Sequence, residues 1–171
     1  LRAASPSGQI PANVRIDNAE ADYGGVGNIC SIDSGLWVII AVYNYVNKTG
    51  DLDFLRAHAE RLQVAMNWLS AHDSNNDGLL EIPEAGDWTD LFARSNHVLY
   101  DEVLWYRANV CFGRLLEYQG DFQRAADYLH WSQHIAGKIK VSFWPTTGIE
   151  TTPTRTFADR QASLGDTQYL L

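Results

Sequence analysis

At 171 residues the chain is the size of one domain or part of a larger one, and its 46% hydrophobic and 12% aromatic content can bury a core, which excludes disorder as the default. The 13 basic and 21 acidic residues leave a net charge of -8, and an acidic chain repels phosphate backbones, so no nucleic-acid partner is expected. The longest apolar run, residues 36–43, is far too short for a bilayer span, so no membrane partner is expected either.

The chain opens with a long segment, residues 1–33, that carries Gly8-Gln9-Ile10-Pro11-Ala12-Asn13 and a glycine cluster at 24, 25 and 27. The glycines lack the strand and helix of a dinucleotide fingerprint and read as a loop. No signal peptide opens the sequence, and Leu1 is not a natural start, so the chain is expected to be part of a longer protein. Cys30 and Cys111 are too few to frame a disulfide fold; two free thiols are expected, with one bridge left open.

Four amphipathic helices follow. The spacing predicts the first over 34–48, with Leu36, Ile39, Ile40, Tyr43 and Val46 on one stripe and Trp37, Val38, Ala41 and Val42 filling the rest. A helix apolar on every side is expected to be buried on every side. The second, 52–72, is one-sided: Leu55, Ala59, Leu62, Met66 and Leu69 oppose Arg56, Glu60, Arg61, Gln63 and Asn67. The third, 99–118, is again largely apolar, and the fourth, 122–140, is one-sided through Phe122, Ala126, Leu129, Ala136 and Ile139. Gly50-Asp51 and Gly120-Asp121 join the members of each pair, the glycine ending one helix and the aspartate capping the next. The two junctions lie 70 residues apart, an internal repeat of helical hairpins. The wide segments, 1–33, 73–98 and 142 onward, all fall at the opposite end from these tight turns. Inner helices ringed by outer ones, with elaborate loops at one end, describe an all-α toroid of helical hairpins; closing it takes more hairpins than these two. Residues 1–171 are therefore expected to be a partial catalytic barrel whose partner is the remainder of its own domain. Loops held on such a scaffold are where sites sit.

Three stretches carry chemistry. Asp33-Ser34 suits a helix N-cap; alternatively Asp33 is a carboxylate at a pocket mouth, holding sugar hydroxyls beside Trp37. Residues 73–84 match the EF-hand loop at positions one, three, five, six and twelve, although Pro83 blocks an exit helix. Asp73, Asn75, Asp77, the Leu79 carbonyl and Glu81 are the candidate ligands for a structural Ca2+; a polar turn without metal is the alternative. The third stretch is Gly86-Asp87-Trp88-Thr89-Asp90, with Asp101 and Glu102 beyond it. Glycosidic cleavage needs a carboxylic acid to protonate the leaving oxygen and a second carboxylate to activate water or attack. Apolar, tryptophan-rich surroundings keep such an acid protonated. Asp87 and Asp90 both suit that role, or one of them structures the loop. Asp101 and Glu102 suit the dipole of the third helix, and Glu102 could also point inward and bind sugar. The histidines form no zinc motif by spacing, and His130 and His134 are expected at the surface.

In order and spacing, Gly-Gln-Ile-Pro-Ala-Asn (8–13), Asp-Ser-Gly-Leu-Trp (33–37), Tyr-x-x-x-Thr-Gly-Asp (45–51), Asp-Gly-Leu-Leu-Glu (77–81), Gly-Asp-Trp-Thr-Asp (86–90) and Asp-Glu-Val-Leu-Trp-Tyr (101–106) together resemble the (α/α)6 glycoside hydrolases. The nearest are the glucosidase domain of glycogen debranching enzymes (amylo-α-1,6-glucosidase) and the alkaline/neutral invertases, with processing α-glucosidases and trehalases more distant. The Asp-Ser-Gly-Leu-Trp string looks especially like the invertases, and the Ile-Pro string like the debranching enzymes. The resemblance implies that Asp90 is the general acid, with Asp87 as the alternative, and that Asp33, Trp37, Trp88 and Glu102 line a sugar subsite for an oligosaccharide or polysaccharide. It implies that no cofactor is required, although some such relatives hold Ca2+ in the loop matching 73–81. It also implies a glutamate base on a later helix, for which residues 1–171 hold no counterpart. The implied reaction is inverting hydrolysis of an α-glucosidic bond. A lyase or epimerase on the same toroid and a non-catalytic calcium-binding scaffold are the other classes the sequence leaves open.

Overall fold

The computed structural model describes residues 1–24, 29–89 and 94–143. A two-residue antiparallel ribbon, β1 (Asn13–Val14) with β2 (Ala21–Asp22), lies in the opening segment. Two helical hairpins follow: α1 (Asp33–Thr49) with α2 (Leu52–Ser70), and α3 (Leu99–Gln119) with α4 (Phe122–Phe143). The described residues are thus mostly helical, as the alternation of apolar and one-sided patterns requires.

Both hairpin turns use the expected chemistry. Gly50 (φ 71°) and Gly120 (φ 82°) take the left-handed conformation that lets their N–H groups return to the last carbonyls of α1 and α3. Asp51 then accepts from Phe54 N at 2.9 Å and Asp121 from Arg124 N at 3.3 Å, which satisfies otherwise unpaired donors in the first turns of α2 and α4.

The inner helices α1 and α3 pack side by side and run parallel. Trp37 meets Tyr100 near their N-termini, and Tyr118 Oη donates to Asn47 near their C-termini. Helix α2 packs on α1 and α4 on α3, while Gln63 of α2 bonds Tyr128 and Arg124 of α4. Leu36, Ile39, Leu55, Leu62, Met66, Leu69, Trp105, Leu115 and Ile135 fill the interior at under 2% exposure; each aliphatic side chain among them contributes about 1.5–3 kcal/mol by leaving water. At Gly113 the two helices of the second hairpin come so close that a Cβ would sit 2.9 Å from Leu129 Cγ. Cys30 is half-buried and Cys111 buried, and neither thiol is paired.

One expectation is corrected. Helix α1 is not buried on every side: Trp37 (48% exposed), Ala41 and Tyr45 (44% exposed) form an outward stripe at four-residue spacing, and Val103 of α3 is similarly open. An apolar surface is covered only where another element reaches it, and here only the edges are met, Trp37 by Tyr100 of α3 and Tyr45 by Phe54 of α2.

The wide connectors gather at the N-terminal ends of α1 and α3. The α2–α3 connector closes on itself through an antiparallel bridge between Ile82 and Asn96, with N–H···O distances of 2.9 and 2.8 Å. It is fastened to the start of α1 by Ile32 N donating to the Gly86 carbonyl at 3.0 Å. The opening segment lies along α2, where a Cβ on Gly8 (φ +104°) would fall 2.3 Å from the Val64 carbonyl oxygen, so only glycine fits there. One rim therefore carries the tips of both wide connectors, and the opposite end carries the two tight turns.

Candidate active site at the connector rim

The rim is organised around Tyr100, in the first turn of α3. Its hydroxyl accepts a hydrogen bond from Trp37 Nε1 at 2.9 Å and donates to Asp33 Oδ2 at 3.4 Å. Burial holds the Tyr100 hydroxyl above its ordinary pKa, so it stays a donor. Trp88, 63% exposed, meets the Tyr100 ring edge-on with centroids 6.1 Å apart. Two open indole faces thus flank a phenol whose proton is aimed at a carboxylate.

The N-cap reading of Asp33 does not hold. Helix α1 begins at Asp33 itself; Ile32 occupies the cap position and no side chain caps the helix. The Asp33 carboxylate instead accepts from Ser31 Oγ at 2.7 Å and faces Tyr100. Asp33 and Trp37 of α1 and Trp88 of the α2–α3 connector are brought together around Tyr100.

Asp90 lies outside the described residues. Asp87 is buried (3% exposed), and its carboxylate is occupied: Oδ1 accepts from the Thr89 N–H at 3.0 Å and from the Thr89 hydroxyl, and Oδ2 pairs with Arg94. That arrangement ties together the two sides of the loop that carries Trp88 and leaves the Asp87 carboxylate fully engaged.

Glu102 does not join the aromatic group through any hydrogen bond or ring contact. Fully buried, it accepts from Leu80 N with both oxygens, at 3.0 and 3.1 Å, and lies 3.7 Å from His97 Nδ1. Burial pushes its pKa up to about 7, against the pull of His97 and the Leu80 N–H. Its neighbour Asp101 is the residue that sequence reasoning passed over. Asp101 is also fully buried, yet among the described residues neither carboxylate oxygen has a hydrogen-bond partner. Burial first, then the charges of Asp87 and Asp33, raise its pKa to about 8 despite Arg94. Asp101 is therefore a neutral carboxylic acid at neutral pH, set among the rim carboxylates.

The 73–81 loop is closed by its own side chains. Asp73 accepts from the Asp77 and Gly78 N–H groups at 3.0 Å each, Asn75 Oδ1 from Asp77 N at 2.8 Å, and Asp77 Oδ1 from Leu79 N at 2.9 Å. Glu81 reaches back to the Ser74 N–H and hydroxyl and the Asn75 amide. Burial raises the pKa of Asp73. His134 of α4, exposed as expected, lies 3.2 Å from the Asp77 carbonyl oxygen. Ca2+ takes six to eight oxygen ligands, whereas here a nitrogen donor, His97 Nε2, stands 3.8 Å from Asp77 Oδ2 and 3.9 Å from Glu81 Oε1.

Among the described residues no helix is long and apolar enough to cross a membrane. No curated protein matches the chain. The family model described as alkaline and neutral invertase matches residues 5–156, which takes in the opening segment, both hairpins and the connector between them. That match, over two helical hairpins with acids and indoles at one rim, shows that the chain belongs to the alkaline and neutral invertase family of glycoside hydrolases and that its substrate is a carbohydrate.

Proposed function

We propose that the chain carries the general-acid half of an inverting hydrolase acting on an α-glucosidic bond. The observation that carries this reading is the Trp37–Tyr100–Asp33 relay with Trp88 beside it. Indole faces suit the C–H faces of a pyranose, and a carboxylate suits its hydroxyls. Asp90 is the general acid in this reading, because the Asp87 carboxylate is engaged by Thr89 and Arg94. Asp33, Trp37 and Trp88 line the sugar subsite, and the neutral Asp101 carboxyl lies among the rim carboxylates. The base that activates water is a carboxylate on a later helix of the complete domain, about 6.5–9.5 Å from the acid, which is the separation that inversion requires. No cofactor takes part in the chemistry. The family's description makes a sucrose-type bond the first substrate to test, and an α-1,6-linked glucoside the second.

The experiment is turnover by the complete enzyme carrying Asp90→Asn, with the anomer of the released glucose followed by NMR. Loss of a positioned general acid is expected to cost about 10²- to 10⁴-fold in kcat, and the wild type is expected to release β-glucose first. Activity near wild type would remove Asp90 from the role, and initial release of α-glucose would overturn inversion.

A further inference from the structure

Away from the aromatic rim, the two ends of the α2–α3 connector meet. One ligand atom from each of Asp77, Glu81 and His97 lies within 4.8 Å of the other two. His97 Nε2 is 3.8 Å from Asp77 Oδ2 and 3.9 Å from Glu81 Oε1. Those separations are too long for hydrogen bonds. They suit two ligands of one ion, since groups each about 2.1 Å from a shared metal can stand up to about 4.2 Å apart. The His97 side chain is only 6% exposed, and its Nδ1 has no hydrogen-bond partner among the described residues. A buried imidazole without a partner normally costs stability. On its far side, Nδ1 faces the buried Glu102 carboxylate at 3.7 Å. A carboxylate behind one nitrogen, with the other turned toward acidic oxygens, is the arrangement that orients metal-binding histidines.

We propose that Asp77, Glu81 and His97 form a structural site for a first-row divalent ion of the Zn2+ class, with Glu102 as the positioning residue for the imidazole. This ligand set differs from the oxygen set expected of the loop for Ca2+: imidazole suits Zn2+ and its neighbours, whereas Ca2+ takes oxygen. Three carboxylates surround one ring, so a cation also balances the local charge. An ion held there fastens residues 77 and 81 to residue 97, and so closes the base of the loop that carries Asp87 and Trp88.

The test is calorimetric titration of the full-length protein, stripped with chelator and dialysed, with Zn2+ and separately with Ca2+. One Zn2+ per chain is expected, bound at least tenfold more tightly than Ca2+, with a rise in Tm. His97→Gln is expected to weaken Zn2+ binding at least tenfold, Glu102→Gln by about 10- to 100-fold, and His130→Gln, on the α4 surface, not at all. Visible absorption of the Co2+-loaded wild type, of the intensity given by a four-coordinate site, provides a readout should the variants fail to fold. No Zn2+ binding, preference for Ca2+, affinity unchanged by His97→Gln, or binding lost in His130→Gln would each overturn the site; the first of these would leave His97 as an imidazolium bridging three carboxylates. None of these readouts depends on sugar turnover, so their failure would leave the hydrolase reading standing.

Discussion

Asp101 and Glu102 are adjacent in the first turn of α3, equally inaccessible to water, and opposite in what surrounds them. Glu102 is engaged: both oxygens accept the Leu80 N–H, and His97 stands beside it. The Asp101 carboxylate has no hydrogen bond among the described residues and faces the charges of Asp87 and Asp33. Burial raises both pKa values, but Asp101 ends higher, at about 8 against about 7. Partners decide the role of a buried carboxyl. The engaged one fastens a connector to a helix, and the orphan is held as a neutral acid near the place where sugar is proposed to bind.

The largest expected effect comes from removing the engaged partner. Glu102→Ala strands the Leu80 N–H and the His97 ring in the interior and is expected to destabilise the protein by about 2–4 kcal/mol in chemical denaturation. An effect below about 0.5 kcal/mol would show that Glu102 is no fastening. Asp101→Asn is expected to act in the opposite direction and only at higher pH. The folded pKa of Asp101 lies above its unfolded value of 3.8, so the folded state binds the extra proton between about pH 4 and 8. Wild-type stability from this group therefore falls as pH rises through that window and levels off above about 8. The asparagine variant is expected to match wild type near pH 4 and to exceed it at pH 8 by about 1–2 kcal/mol, or roughly 2–4 °C in Tm per kcal/mol. A Tm difference that does not change with pH would dissolve the contrast between the two residues. The smallest effect is expected at the open indole. Trp88→Ala is expected to leave stability within about 0.5 kcal/mol and to raise KM about tenfold, or about 1.4 kcal/mol; a KM equal to wild type would take Trp88 out of the subsite.

The contrast also shows what a sequence can carry. The four helices, their order and both hairpin turns were legible, because apolar periodicity and the Gly-Asp junctions are local signals. The gathering of the wide connectors on one rim followed from those turns. Asp33, Trp37 and Trp88 could be picked out as rim residues for the same reason. The choice between Asp101 and Glu102 was not legible. Successive residues on a helix point about 100° apart, and α3 is apolar over most of its circumference, so its pattern does not fix which residue turns toward the rim. His97 lay outside the string at 73–84, and its approach to Asp77 and Glu81 arises only when the Ile82–Asn96 bridge folds the connector back. The outward stripe of α1 escaped too, since an apolar residue signals a preference for burial and does not name the element that covers it.

The two tight turns have a practical consequence. Around Gly50 and Gly120 a Cβ would meet nothing within 4 Å, and the 17 residues of α1 set these corners about 25 Å from the connector end. A linker, tag or surface tether grafted at that far end would have room and would leave the indoles at the rim open to solution, so the molecule offers a natural handle on the side away from its wide connectors.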